Sequence, residues 1–195
     1  MKRKAISGVV VLAVLGGSSI VQAAGPSATM LAYTCAGCHG TDGSSVGPAT
    51  PSIAGTDPTY FTDVMIAYKK AERPSTVMTR IAKGYSDEEI EAMAEFFAAQ
   101  KFKRYPQKYD AAKAARGKGL HDEYCEKCHE EGGRNPEDSS VLAGQWIPYL
   151  QISMEEFLNG EREMPKKMKK KVNTLIKKQG KASIDDLNHF YGSQK

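Results

Sequence analysis

The sequence predicts an all-α protein built from two small domains that repeat one another in tandem. The first observation is an internal duplication, in which most matched positions lie 89 residues apart. The second is helical spacing of apolar residues, as after the capping-box sequence that begins at Ser86. The third is the lack of the long apolar–polar alternation typical of strands. The matched segments are 53–55 with 142–144, 60–61 with 149–150, 65 with 154, and 72–73 with 161–162.

Each repeat contains one Cys-x-x-Cys-His motif. The motif residues are Cys35, Cys38 and His39 in the first repeat, and Cys125, Cys128 and His129 in the second. In this order two thiols add to the vinyl groups of haem, and the next imidazole binds the iron as proximal ligand. The chain has only 4 cysteines, so the pattern favours two covalently bound haem c groups over two disulfides or a zinc site. The predicted fold is therefore two tandem small cytochrome c-type haem domains related by internal duplication.

The ends of the chain predict its organisation and its compartment. Residues 1–4 are positively charged, residues 5–21 are small and apolar, and residues 21–23 suit cleavage after Ala23. We therefore expect a signal peptide at 1–23, an N-terminal domain at 24–101, a linker at 102–110 and a C-terminal domain at 111–195. A permanent membrane anchor is the alternative, which the glycine and serine content of the segment disfavours. The prediction is a periplasmic protein with no stable membrane insertion after signal removal.

The charge balance disfavours nucleic acid as a partner. The chain has 27 Lys and Arg against 23 Asp and Glu, and three of the basic residues belong to the predicted signal peptide. A mature chain that is nearly neutral lacks the basic surface that nucleic acid requires. A lysine-rich run, 166–171 with 177, 178 and 181, is either a docking patch for an acidic redox partner or ordinary solvated surface.

Methionine is the expected second axial ligand in each domain. Met78 lies 39 residues after His39, and Met168 lies 39 residues after His129, both in predicted loops before the last helix of a repeat. Met164, which precedes a proline, remains the alternative in the second repeat. His121 lies eight residues before His129 on the same predicted helix, so it is poorly placed to reach the opposite face of the haem, and His189 has no counterpart in the first repeat. A thioether ligand favours Fe(II) and closes the sixth coordination position, as suits electron transfer.

Two further residues have open interpretations. Pro48 either accepts a hydrogen bond from His39 Nδ1 through its carbonyl or is a simple loop proline, and Asn135-Pro136 is the nearest candidate in the second repeat. Trp146 either contacts a haem or fills the seam between the domains. The remaining methionines singled out are expected to fill the core: Met30, Met65, Met93 and Met154.

Beyond the haem motifs, five segments resemble a known family. They are residues 35–41, 45–49, 80–85, 124–129 and 142–151, and they are spread over nearly the whole predicted mature chain. The sequence resembles the dihaem cytochrome subunits of flavocytochrome c sulfide dehydrogenases. The resemblance implies a periplasmic heterodimer with a flavoprotein that carries covalent FAD and oxidises sulfide at a cysteine pair. The cytochrome subunit would then pass electrons to a soluble cytochrome c.

The residues themselves agree with a role that is not catalytic on its own. Haem attachment uses all 4 cysteines, and the chain has no Gly-x-Gly-x-x-Gly sequence for a flavin dinucleotide. Sulfide oxidation and FAD are therefore expected only on the partner chain. The alternative function is a free-standing dihaem electron shuttle to a terminal oxidase or reductase. A dihaem peroxidase is disfavoured because it needs an open iron, whereas both repeats have a matched methionine.

The first testable prediction concerns haem content. The denatured mature chain is expected to be heavier than its polypeptide by two haems, because four thioether bonds survive denaturation. Replacing both Cys125 and Cys128 with Ala should leave the mass of one haem. Mass spectrometry after acid–acetone extraction measures both, and loss of both haems from the wild-type protein would contradict the motif assignment.

Overall fold

The structure is a computed structural model that describes residues 25–135 and 139–195, and it is all-helical over those ranges. The predicted signal peptide lies outside the described residues. None of the described helices has the length and apolar character needed to cross a membrane. The helices are α1 Ala28–Tyr33, α2 Ala36–His39, α3 Pro58–Lys69, α4 Met78–Ile81, α5 Asp87–Ala98, α6 Ala111–Tyr124, α7 Glu130–Gly133, α8 Ile147–Asn159, α9 Lys166–Gln179 and α10 Ser183–Ser193; a single 3-10 turn, Ala82–Gly84, follows α4.

The first unit is held together by α1, α3 and α5. Apolar side chains from these helices form one buried cluster, in which Ile90, Met93 and Phe97 of α5 are completely buried. The predicted capping box at Ser86 is present: its hydroxyl accepts the Glu89 N–H at 3.1 Å, and the Glu89 carboxylate accepts the Ser86 N–H at 2.8 Å. This reciprocal cap fixes the start of α5 at the predicted residue, and the apolar residues of the helix face the core.

The second unit has a separate core made by α6, α8, α9 and α10. Its buried side chains are Tyr124, Leu150, Met164, Val172, Leu175, Ile184, Leu187, Phe190 and Tyr191. Equivalent backbone contacts recur in the two units. The Gly55 N–H bonds the Phe97 carbonyl at 2.8 Å, and the Gly144 N–H bonds the Tyr191 carbonyl at 2.8 Å. The duplication read from the sequence is therefore also present in the backbone.

Helix α9 was not expected from the sequence, which was interpreted as a methionine-bearing loop. It begins after Pro165 and ends before Gly180, with Val172 and Leu175 buried. Val172 follows Met168 by four residues and Leu175 follows Val172 by three, which is helical spacing, but lysines surround these positions. Met168 therefore lies in a helix. Met78 likewise begins the short helix α4.

The two units meet at a seam of direct hydrogen bonds. The side chain of Gln145, only 1% exposed, accepts the Ser52 N–H at 3.0 Å and donates to the Ser52 carbonyl at 2.9 Å. Trp146 Nε1 donates to the Ser45 carbonyl at 3.1 Å, which places this tryptophan in the seam. Residues 102–110 carry no helix, and the domain boundaries stated above remain predictions.

Helices α6 and α10 of the second unit pack closely at Gly117. A Cβ atom at Gly117 on α6 would lie 2.1 Å from the Asp186 carbonyl oxygen of α10. No side chain fits there, because the Asp186 carbonyl oxygen belongs to the backbone and cannot rotate away from the added Cβ atom. The absence of a side chain at Gly117 thus sets how closely α6 and α10 pack.

This contact makes a stability prediction with a control on the same helix. Gly117→Ala should lower the free energy of unfolding by about 1–3 kcal/mol or more, because α6 and α10 must move apart. Gly119→Ala should instead raise it by about 0.4–1 kcal/mol, since nothing lies within 4 Å of the added methyl group. Denaturant unfolding of the haem-loaded protein measures both. Equal effects of the two substitutions would contradict the packing described.

Candidate haem-binding sites

The first motif presents a buried histidine with a fixed ring. His39 closes the short helix α2 and is 9% exposed, and its Nδ1 lies 2.8 Å from the Pro51 carbonyl oxygen. Burial lowers the pKa of His39, and the Pro51 contact offsets this only in part, so the ring is neutral near pH 7. A neutral imidazole that donates from Nδ1 has its Nε2 free to bind a metal.

The carbonyl that fixes this ring belongs to Pro51 and not to Pro48, which the sequence had suggested. Both prolines lie in the loop after the motif, and turn statistics do not distinguish between them. Pro51 immediately precedes Ser52, whose backbone is bonded on both sides by Gln145 of the second unit. The carbonyl that contacts His39 thus lies next to a residue that the seam holds.

The second motif is arranged differently. His129 is only partly buried, and this burial lowers its pKa, but its buried Nδ1 has no hydrogen-bond partner among the described residues. The candidate from the sequence, Pro136, lies outside the described residues. Orphaned polar atoms in buried positions are uncommon in proteins and call for an explanation.

The four cysteines are free thiols. Cys38 and Cys128 are exposed, whereas Cys35 and Cys125 are partly buried. Burial raises the pKa of Cys35, and it raises that of Cys125 to about 11. Burial thus keeps Cys35 and Cys125 as thiols at neutral pH, which disfavours a reactive thiolate pair. In each motif two unjoined thiols are followed by a neutral histidine, buried in the first and partly buried in the second, and this is the donor set that covalent haem attachment needs.

The candidate methionines lie at different depths. Met78 packs on the first core from a partly exposed position, and Met168 does the same on the second core. Met164 is 8% exposed and belongs to the second core itself. Position 74, which is 90 residues before Met164, is a proline, so Met164 has no methionine counterpart in the first unit.

The core role expected of the other methionines is correct for three and wrong for one. Met65 and Met93 are buried, and Met154 packs against the second core. Met30 is 65% exposed, because it lies on the outer side of α1 while Leu31 and Ala32 face the core. His189, which was not favoured as a ligand, accepts a hydrogen bond at Nδ1 from the Asp110 N–H at 3.0 Å.

Two arginines and two tyrosines cross the seam in a reciprocal arrangement that the sequence did not reveal. Arg73 of the first unit donates to the Tyr149 hydroxyl at 3.4 Å, and Arg162 of the second donates to the Tyr60 hydroxyl at 2.8 Å. Burial tends to raise the pKa of Tyr60, but the positive charges of Arg162 and Arg73 outweigh it and lower that pKa. The signal available in the sequence was the 89-residue offset shared by both pairs.

The two arginines of this cluster also bear on whether the chain can bind a haem, which carries two carboxylates. Arg73 is 5% exposed, its Nε has no hydrogen-bond partner, and neither Arg73 nor Arg162 forms an ion pair within the described ranges. A buried guanidinium requires a compensating anion. Together with the two thiol–imidazole motifs, these residues fit haem c as the group bound.

Comparisons with known proteins agree with this donor set. A family model described as cytochrome c oxidase, cbb3-type, subunit III matches residues 22–97. The cytochrome subunit of sulfide dehydrogenase from Chlorobaculum tepidum is 52% identical over 68 residues, which cover 35% of this chain and 61% of that relative. The chain thus matches less than two thirds of that relative's length.

Broader similarity is found to another cytochrome. Cytochrome c4 from Azotobacter vinelandii is 30% identical over 173 residues, which cover 79% of this chain and 82% of that protein. The crystal structure of reduced recombinant cytochrome c4 from Pseudomonas stutzeri superposes with a TM-score of 0.72 at 22% identity, covering 86% of this chain and 97% of that one. The structural likeness establishes the fold of two tandem cytochrome c domains.

Proposed function

We propose that the chain, which belongs to the dihaem cytochrome c family typified by cytochrome c4, is the electron-transfer subunit of a flavocytochrome c sulfide dehydrogenase. The chain is a dihaem electron-transfer protein with covalently bound haem c. The finer assignment is carried by one observation, the 52% identity over 68 residues to a cytochrome subunit of sulfide dehydrogenase. That value exceeds the 30% found over the longer match to cytochrome c4.

In this proposal each unit holds one haem through its own side chains. The cysteine pairs 35 and 38, and 125 and 128, form the thioether bonds, and His39 and His129 are the proximal ligands. Met78 and Met168 occupy the distal positions. Haem c, when bound, supplies a one-electron iron couple whose potential the axial ligands tune.

The chain's own residues support a division of labour with a flavoprotein. Thioether formation leaves no thiol for sulfur chemistry, since all 4 cysteines lie in the two motifs. We propose that FAD and sulfide oxidation belong to a partner subunit in a periplasmic heterodimer. The cytochrome would receive electrons from that flavin and release them to a soluble cytochrome c.

Helix α9 offers a surface for releasing electrons. Its seven lysines have no acidic residue among them, and none forms an ion pair within the part of the chain that the structure describes. The helix also bears Met168, so this positive face adjoins the proposed second haem site. Such a patch attracts an acidic partner over a distance of about 8–10 Å at physiological salt. We propose that the acceptor cytochrome docks there.

A second candidate function is a free-standing periplasmic shuttle that serves a terminal oxidase or reductase. The observation that favours it is the length of the match to cytochrome c4, which covers 79% of this chain. The two functions share haem attachment and ligation, and they differ in whether a flavoprotein binds.

The distal ligands can be tested by two neighbouring substitutions. Met168→Ala should abolish the weak near-infrared absorption band of methionine-bound ferric haem for one site, and should lower the potential of that site, because the thioether that favours Fe(II) is lost. Met164→Ala is the matched control. It should keep the band while costing about 2–5 kcal/mol of stability, since Met164 is a core residue. The reverse spectral result would identify Met164 as the ligand.

The partner is tested by reconstitution. The purified cytochrome with sulfide and an acceptor cytochrome should show no turnover at enzyme-like rates, typically ~1 per second or more. Adding the flavoprotein should start turnover, and stopped-flow absorbance should show flavin reduction before reduction of the cytochrome. The two chains should copurify, with an interface of at least roughly 1,000 Å². Failure to bind any periplasmic flavoprotein of its host, with rapid reduction of a terminal oxidase, would favour the shuttle.

A further inference from the structure

A buried histidine in the second unit lies between a tyrosine and a carboxylate. His121 on α6 is completely buried, and its Nδ1 lies 2.9 Å from the Tyr191 hydroxyl. Its Nε2 is hydrogen-bonded to a carboxylate oxygen of Glu126, the residue that follows Cys125 in the haem motif. The carboxylate accepts from Nε2–H, and Nδ1 then accepts from the Tyr191 hydroxyl when the ring is neutral.

Glu126 also holds the loop that follows His129. Its two carboxylate oxygens accept the Glu131 N–H at 3.0 Å and the Gly132 N–H at 3.2 Å. Glu131 has a φ of 54°, a conformation that residues other than glycine rarely adopt. Such a backbone persists only where its surroundings impose it. The carboxylate supplies that restraint two residues beyond the proximal histidine.

The first unit has apolar residues at the equivalent positions. Leu31 lies four residues before Cys35, as His121 lies four before Cys125, and Ala36 follows Cys35 where Glu126 follows Cys125. Phe97 corresponds to Tyr191, because each accepts the same glycine N–H bond in its own unit. The network of Tyr191, His121 and Glu126 is thus present beside one haem motif only.

We propose that Tyr191, His121 and Glu126 are positioning residues for the second haem site, which hold the segment from Cys125 to His129 and set its potential apart from that of the first. The inference rests on haem attachment at this motif and is independent of the identity of any partner. A haem held at this motif would have the Glu126 carboxylate nearby, and a nearby negative charge favours the ferric form, since that form carries one more positive charge. The Glu126 carboxylate therefore lowers the potential of the second site.

The test is a redox titration of the dihaem protein followed by absorbance. Glu126→Gln keeps the size of the side chain and removes its charge, and it should raise the midpoint potential of the second site while leaving that of the first unchanged. The Cys125→Ala, Cys128→Ala protein, which lacks the second haem, assigns the two waves. Asp122→Asn is the matched control, because Asp122 carries the same charge nearby but is paired with Lys118 at 2.6 Å on the surface.

Three results of this titration would overturn the proposal. They are an unchanged second wave in Glu126→Gln, an equal shift of both waves, and a shift in Asp122→Asn as large as that in Glu126→Gln. If the motif itself carries no haem, the denatured wild-type protein is heavier than its polypeptide by one haem and not by two. Failure of haem attachment and failure of the positioning role are therefore distinguishable.

Amide hydrogen exchange gives a second readout that does not depend on potentials. His121→Leu installs the residue of the first unit and removes the donor to Glu126, so the amides of Glu131 and Gly132 should exchange faster. His121→Gln restores an N–H donor and should return their exchange towards the wild-type rate. Unchanged exchange in His121→Leu, or equal acceleration in both variants, would show that the histidine only fills space.

Discussion

The side-chain amide of Gln145 is the contact on which the arrangement of the two units depends. It pairs with both backbone groups of Ser52, and it is almost fully excluded from solvent. Leaving such a buried donor and acceptor unpaired costs about 1–3 kcal/mol for each group. Because Ser52 follows Pro51, the same amide fixes the carbonyl that orients His39. A residue of the second unit is thereby linked, through one peptide, to the orientation of His39 in the first.

The two units are similar in backbone and different in chemistry. In the first, His39 is oriented by a carbonyl, and the positions equivalent to His121, Glu126 and Tyr191 hold apolar residues. In the second, a carboxylate, a histidine and a tyrosine surround the motif, and the adjacent helix α9 is covered with lysines. Duplication gave two copies of one fold, and substitution around the motifs made the copies unequal.

Local sequence signals predicted the helices well and predicted side-chain contacts poorly. The capping box at Ser86 depends only on neighbouring residues and was predicted, and the cap of α3 by Asp57, which accepts the Tyr60 N–H, is equally local. Helix α9 was missed because its lysines hid an apolar stripe of only a few residues. The choice of Pro51 over Pro48, and the pairing of His121 with Glu126 and Tyr191, depend on the packing of distant segments, which spacing alone does not give.

The reciprocal pairs at the seam have a consequence for how such a chain arose. Arg73 reaches Tyr149, and Arg162 reaches Tyr60, so the contact relates each unit to the other by an approximate two-fold axis. Contacts of this kind are isologous, since each surface carries both halves of the pairing. A single unit with this Arg and Tyr is self-complementary, so joining two copies in one chain keeps the pairing and leaves each half free to diverge.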